Sequence, residues 1–307
     1  MDIVHEPVMV QEYLKYLPSH PRVVVDGTFG HGGHVRALLE EWRMKNEGQE
    51  WIIVGIDLDE KMLEKGEKRI KDLADSVNTS TGSVWCLELV HGSYADLEEI
   101  LKKLDIDKVD AILVDLWVNM EHFRDHDRGF SIKWEWVLDM RFDTSKWQSA
   151  KELLKTASMD VLKNIFIDYA EFSSDKSEEL AKWIVQERKH IWLESTWDLK
   201  KYLKSKGLWE KACAVIFQAI RIAVNWELDN LKKFLDLLPR VLGPGWRALV
   251  MSYHSLEDRM VKVAFKSYVK EWSALLVEKK AIAPNWKEVE RNKAARSAKL
   301  RVLEWKL

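Results

Sequence analysis

Between residues 26 and 34 the chain reads Asp26-Gly27-Thr28-Phe29-Gly30-His31-Gly32-Gly33-His34, four glycines set among an acid and two imidazoles. Glycine at these positions lets a backbone turn tightly and approach a bound molecule without Cβ interference. A loop of this kind after a strand cradles a nucleoside-bearing cofactor, either a dinucleotide or S-adenosylmethionine. The dinucleotide fingerprint Gly-x-Gly-x-x-Gly is incomplete, because Gly30-His31-Gly32 runs on into Gly33-His34-Val35 and the third glycine is missing. Two further carboxylates, Asp57 and Asp115, close apolar runs of their own. An acid at the end of the second strand suits a ribose diol in either cofactor. Asp115 would face the same crevice, against the plainer role of a helix cap.

Positioning these groups requires a sheet. The apolar runs 22–25, 51–56, 84–90 and 109–114 are near-continuous in Val, Ile and Leu, and amphipathic helical patterns alternate with them at 34–42, from Met62 to Leu73 and at 97–104. That alternation predicts an α/β, Rossmann-like doubly wound domain with a parallel sheet buried on both faces. After Asp115 it stops. Segments 150–156, 159–169, 177–187 and 196–205 read as helices with charged faces, so an all-helical subdomain is expected at 143–211, inserted into a domain formed by 1–142 and 212–307. The sheet pattern resumes with one helix over 217–238, a Gly243-Pro244-Gly245 turn, a strand over 247–253, a helix from Leu256 and a terminal strand over 300–305.

The 307 residues allow a sizeable core, and 32% charged with 47% apolar residues excludes disorder and fibrous repeats. No apolar run approaches a membrane span and the N-terminus lacks a signal-peptide core, which leads to an expected cytoplasmic location with no membrane partner. Cys86 and Cys213 are expected to be buried thiols. The nine histidines show no ligand spacing, so no metal is expected. From Arg259 onward, 13 Lys or Arg face 5 Glu, a footprint suited to phosphates or to a solvated surface. Sixteen tryptophans, among them Trp134, Trp136, Trp147 and Trp286, lie largely in polar surroundings.

Seven blocks carry a resemblance: His5-Glu6-Pro7-Val8-Met9; Asp26-Gly27-Thr28-Phe29-Gly30 with Gly32-Gly33-His34; Arg128-Gly129-Phe130-Ser131; Leu138-Asp139-Met140-Arg141; Phe217-Gln218-Ala219-Ile220-Arg221-Ile222 with Val224-Asn225; His254-Ser255-Leu256-Glu257-Asp258-Arg259; and Ala295-Arg296-Ser297-Ala298-Lys299-Leu300-Arg301. In order and spacing they resemble the RsmH (MraW) methyltransferases, which methylate N4 of a cytidine in the decoding centre of bacterial 16S ribosomal RNA with S-adenosylmethionine. The resemblance implies a Rossmann-like fold interrupted by helices, with 16S rRNA or the small ribosomal subunit as partner; a homodimer is left open. It implies that Gly32, Gly33 and His34 lie against the methionine part of the cofactor, that Asp57 accepts from the ribose and that Tyr94 borders the adenine. Asp115 would be a further cofactor contact. His122 stands where the family has a cofactor-touching glutamine.

Methyl transfer to an exocyclic amine needs an aimed lone pair and an acceptor for the amine proton. The resemblance makes Asp139 the first candidate acceptor and Asp115 the second; the structural alternative for Asp139 is an ion pair with Arg141. A base in folded RNA must also be unstacked and supported on aromatic or guanidinium planes. Arg128 and Phe130 offer both, with Gly129 between them. Arg221, Arg259, Arg296, Lys299 and Arg301 would hold phosphates, and His254 would hydrogen-bond substrate.

The chain also departs from the family. Trp117 occupies the glycine of Asp-Leu-Gly-Val-Ser-Ser and Trp246 the last glycine of Pro-Gly-Gly, while Trp134-Glu135-Trp136 fills a stretch usually rich in glycine and aspartate. A backbone that relied on glycine at 117 would have to move. Two rivals therefore stand beside the methyltransferase: a nicotinamide oxidoreductase, and a noncatalytic RNA-binding or ribosome-assembly protein that kept the fold with an impaired cofactor pocket.

Overall fold

A computed structural model of the chain describes residues 6–43, 50–81, 84–146, 148–190 and 193–306; His5 and Trp147 lie outside the described residues. Helix α1 (Val10–Tyr16) leads into strand β1 (Val23–Asp26), helix α2 (Gly33–Arg43), β2 (Glu50–Asp57), α3 (Glu60–Thr81), β3 (Val84–His91), α4 (Leu97–Lys103) and β4 (Val109–Asp115). All seven residues of β4 are buried, as a central strand covered on both faces requires. After five helices the chain returns through α10 (Glu227–Val241), β5 (Leu242–Ser252), α11 (Ser255–Lys270), β6 (Ala274–Leu276), α12 (Trp286–Arg291) and β7 (Lys299–Trp305).

The strand order is β3-β2-β1-β4-β5-β7-β6. The five strands β1 to β5 run parallel, as the alternation of strands and helices predicts, and β7 is antiparallel to both β5 and β6. The cause is connectivity. Helix α11 carries the chain back so that β6 runs in the direction of β5, and β7 then re-enters from the far end without a crossover. Strand β5 also starts earlier than expected, at Leu242, with an irregularity opposite Val109 and Ala111 that takes up the Gly243-Pro244-Gly245 turn.

Two compact units result, Met1–Trp117 with Asp229–Leu307 and Val118–Leu228. The second takes in 118–142 and 212–228 as well as the expected 143–211. It contains α5 (Ala150–Thr156), α6 (Met159–Asp168), α7 (Ser174–Glu187), α8 (Thr196–Ser205) and α9 (Glu210–Asn225). Serines start four of these helices: Ser149 and Ser195 form capping boxes with Glu152 and Asp198, and Ser158 and Ser173 accept from backbone N–H groups. The unit is wider than expected because Ile216, Phe217 and Ile220 of α9, with Leu138 and Met140, pack into one core with Leu154, Phe166 and Leu199. The sheet has its own core, which includes Val24, Phe29, Leu38, Ile53, Leu113, Leu249 and Val302. No described helix is long and apolar enough to cross a membrane. Cys213 is buried, but Cys86 is exposed, contrary to expectation: it lies on edge strand β3, where its thiol donates to Glu88 at 3.1 Å.

The single helix expected over 217–238 is two. Trp226 adopts the left-handed conformation (φ 53°) at the end of α9, with its N–H turned back to Ile222 and Ala223. Next to it, buried Asn225 replaces the missing continuity, its amide donating to the Met140 and Arg221 carbonyls and its oxygen accepting from the Phe142 N–H at 2.7 Å. An L residue pays roughly 1–2 kcal/mol for that conformation and glycine does not. Since the Trp226 side chain is 55% exposed, little packing is lost on removing it. Trp226→Gly should therefore stabilise the helical unit, by up to about 1 kcal/mol after the unfolded-state entropy of glycine is subtracted; a lower urea midpoint than wild type would contradict this account of the break.

Candidate active site

The order of strands reverses between β1 and β4, and ligands of open α/β sheets bind beyond the strand ends at that point. Three strands end there in carboxylates: Asp26 on β1, Asp57 on β2 and Asp115 on β4. The glycine loop laces these ends together through its own backbone. The Gly27 N–H donates to the Leu113 carbonyl (2.8 Å), the Phe29 N–H to Ile56 (2.9 Å) and the Gly30 N–H to Asp57 Oδ2 (2.7 Å). Thr28 closes the circuit, since its hydroxyl oxygen accepts from the Asp115 N–H at 2.7 Å. At Gly32 the backbone has φ +68°, and a Cβ there would lie 2.3 Å from the Ile70 side chain, so only glycine lets the loop seat against α3.

Electrostatics at this point are unusual. Asp26 is buried and one of its oxygens, Oδ2, has no hydrogen-bond partner, while Oδ1 accepts only from the Thr28 N–H at 3.2 Å. Burial pushes its pKa up to about 6, with the charges of Asp115 and Asp57 adding to the effect and His34 and the Thr28 N–H opposing it. Burial also raises Asp115, against His34, the Tyr253 hydroxyl and the Trp117 N–H. The Tyr253 hydroxyl donates to Asp115 Oδ1 at 2.7 Å. Burial and its acidic neighbours Asp115 and Glu257 hold that phenol well above its ordinary range, so it stays a donor.

Six expected cofactor residues fall at this crevice or on its supports. Asp57 accepts from the Gly30 and Asp59 N–H groups, and carboxylate oxygens have lone pairs left for a ribose hydroxyl. Gly32 and Gly33 form the loop's exit into α2, with Gly33 against Pro7. The His34 ring bonds through Nε2 to the Val8 carbonyl at 2.9 Å and meets Tyr13 edge-on. Tyr94 is buried beside Gly27 and packs edge-on against Phe234 at 5.5 Å. Asp115 completes the set. Trp117 does not need the glycine its position suggests: its φ is not positive, and its indole lies 4.6 Å from the Tyr253 ring. Two participants had no role assigned from the sequence, Asp26 and Tyr253: the first opens the glycine loop as the third acid ending a strand, and the second follows an apolar run and carries no local signal.

The helical unit carries the seventh expected cofactor residue, His122, the candidate proton acceptor Asp139 and the expected substrate residues Arg128, Phe130 and Arg221. His122 stacks on Phe130 at 5.1 Å and meets Phe142 at 5.4 Å. Arg128 is buried and donates to the Phe142 carbonyl at 2.7 Å. Gly129 has φ +67°, and a Cβ there would lie 2.0 Å from the Val137 carbonyl oxygen, so the close approach it permits is to the chain's own backbone. Asp139 receives the Arg141 guanidinium on both oxygens, at 3.0 and 2.7 Å, together with the Arg141 N–H. Arg221 is paired through two bonds with Glu227 at 2.9 Å.

The remaining expected substrate residues lie on the sheet unit. His254 caps α11 with Glu257, and Arg301 and Lys299 both bind Asp258, at 2.8 and 3.1 Å. Arg259 and Arg296 are exposed.

The chain resembles known proteins along nearly its whole length. The model of the MraW methylase family matches residues 2–306. The chain is 38% identical over 317 residues to Ribosomal RNA small subunit methyltransferase H of Dictyoglomus turgidum, covering 99% of this chain and 98% of that protein. It is 37% identical over 309 residues to the protein of the same name from Thermotoga neapolitana, covering 98% and 95%.

The Asp26 carboxyl makes a testable contribution to stability. Its folded pKa, about 6, lies above the ordinary 3.8, so the folded state holds the proton more tightly than the unfolded chain. The resulting stabilisation is complete below the ordinary value and is lost as pH rises through 6, about 3 kcal/mol in all. Asp26→Asn keeps the shape and removes the charge. Its urea midpoint relative to wild type should be close to zero difference at pH 4 and clearly higher at pH 7.5; an equal offset at both would exclude Asp26 as the titrating group.

Proposed function

Because the chain belongs to the MraW methylase family, we propose that it is a ribosomal RNA methyltransferase that uses S-adenosylmethionine, and that it methylates N4 of a cytidine in the decoding centre of 16S rRNA. The observation that carries this reading is the acidic crevice at the β1–β4 reversal, with one buried Asp26 oxygen lacking any partner. Three carboxylates favour a ligand bearing positive charge and disfavour the pyrophosphate of a nicotinamide dinucleotide. When bound, S-adenosylmethionine supplies a methyl group activated by the adjoining sulfonium. Asp57 is the residue to accept from its ribose, Tyr94 to border its adenine, and Asp26 and Asp115 to face its cationic groups. Tyr253 keeps Asp115 oriented and favours its ionised form through the 2.7 Å hydrogen bond.

For the amine proton, Asp139 is the first acceptor to test and Asp115 the second. The bidentate grip of Arg141 fixes the Asp139 carboxylate in one orientation, as a positioned proton acceptor needs. Arg128 and Phe130 are proposed to support the target base, and Arg259 and Arg296, which are exposed, to contact phosphates.

Two outcomes test this function. S-adenosylhomocysteine at a hundred times its dissociation constant should stabilise the protein by about 2.7 kcal/mol, seen as a raised melting temperature, while NAD does nothing; protection by NAD, or by neither ligand, would remove the methyltransferase reading. Asp139→Asn should lower the rate of N4-methylcytidine formation in 16S rRNA, read by nucleoside analysis, at least about 100-fold with the S-adenosylmethionine dissociation constant within twofold of wild type. Normal turnover in that variant would pass the acceptor role to Asp115.

A further inference from the structure

One concave surface of the sheet unit is not used by the cofactor crevice. Helices α2, α3 and α12 and the segment before α1 enclose a cleft of about 780 Å³, which reaches Gly33 at the end of the glycine loop. Its charged groups do not all cancel. Arg36 pairs with Glu40 and Arg291 with Glu6, and the buried Glu288 turns inward to accept from the Met9 N–H at 2.6 Å. Among the described residues Arg69 and Lys287 have no carboxylate partner. Burial and the charge of neighbouring Arg36 hold the Arg69 guanidinium below its ordinary value, opposed by Glu40, which is itself bound to Arg36 at 2.8 Å. At the same cleft Trp286 presents its indole 70% exposed, with the Lys287 ammonium 5.8 Å from the ring centroid.

An exposed aromatic face beside unpaired cations is the arrangement that binds single-stranded nucleic acid, the ring stacking on a base and the cations taking phosphates. We propose that this cleft docks an unpaired segment of the RNA substrate, with one base on Trp286 and the backbone phosphates on Arg69 and Lys287. The RNA identity of the occupant rests on the rRNA methyltransferase reading; the stacking and charge geometry does not. A folded protein partner fits less well, because the cleft offers one indole and a row of charges rather than a contiguous apolar face.

The test uses the full chain and a fluorescent twelve-nucleotide unpaired RNA, followed by anisotropy, with calorimetry of S-adenosylhomocysteine in parallel. Trp286→Ala should weaken RNA binding about tenfold and Trp286→Phe should restore most of it, since base stacking on an aromatic ring survives that change. The double variant Arg69→Ala, Lys287→Ala should reduce the slope of log affinity against log salt by about 1.4, two phosphates' worth on a single strand. S-adenosylhomocysteine affinity should be unchanged in all three variants. RNA affinity and salt slope equal to wild type would overturn the proposal, as would a mononucleotide binding the cleft as tightly as the twelve-mer, which would make it a small-molecule site. If wild type binds RNA with the expected variant effects yet never binds S-adenosylhomocysteine, the cleft stands and the methyltransferase reading falls.

Discussion

Burying like charges at one point of a sheet is the constraint around which the rest of this molecule is arranged. Asp26 and Asp115 lie in a low-dielectric crevice, and Asp57 is near enough to raise Asp26 further. An ionised carboxylate taken from water costs several kcal/mol unless hydrogen bonds or opposite charges compensate it. Compensation here is partial and comes from distant parts of the chain: backbone N–H groups of the loop, the His34 ring and a phenol 138 residues away from Asp115. One Asp26 oxygen is left without a hydrogen bond, so the folded protein carries part of that penalty itself.

The same constraint explains which parts were legible in the sequence. The loop could be read because glycine is demanded by φ at position 32 and by packing against Ile70, and both demands are local. Asp57 and Asp115 were legible because each ends an apolar run, and strand ends are where open sheets keep their ligands. Tyr253 and the Val8 carbonyl were not, since each reaches its partner only through the closed sheet. The break at Trp226 escaped for a different reason. Its signal is a backbone angle, and the residue that adopts it is one that φ-based reasoning passes over; the compensating contacts from Asn225 lie 83 and 85 residues away. The antiparallel return of β7 is likewise a consequence of where α11 leaves the chain, not of any pattern within 300–305.

Tryptophan is used in two physically distinct ways. Trp42 and Trp51 lie 4.6 Å apart inside the sheet core, Trp305 meets Tyr268 edge-on, and Trp117 covers the Tyr253 ring. Trp42, Trp51 and Trp305 are buried and behave as core residues, while Trp117 is half-buried. Trp209, Trp272 and Trp286 are each more than two-thirds exposed and bury little. Trp117 itself adopts no left-handed backbone conformation, so an indole at this position does not strain the chain.

The basic tail shows why counting charges along a sequence overstates the surface available to RNA. Arg301 and Lys299 share Asp258, and Arg247 binds Glu304 across β5 and β7, so these cations pin α11 and the last strand to the sheet. Arg221 is committed to Glu227 in the same manner, with both side chains largely shielded. Releasing one to a phosphate would strand its carboxylate in a shielded position, which costs more than an exposed contact returns. Cations without such partners, or on exposed arms, carry no such penalty. The footprint proposed for phosphates therefore narrows to groups such as Arg69, Lys287 and Arg296, and the salt dependence of any RNA binding would measure this smaller set rather than the tail's formal excess.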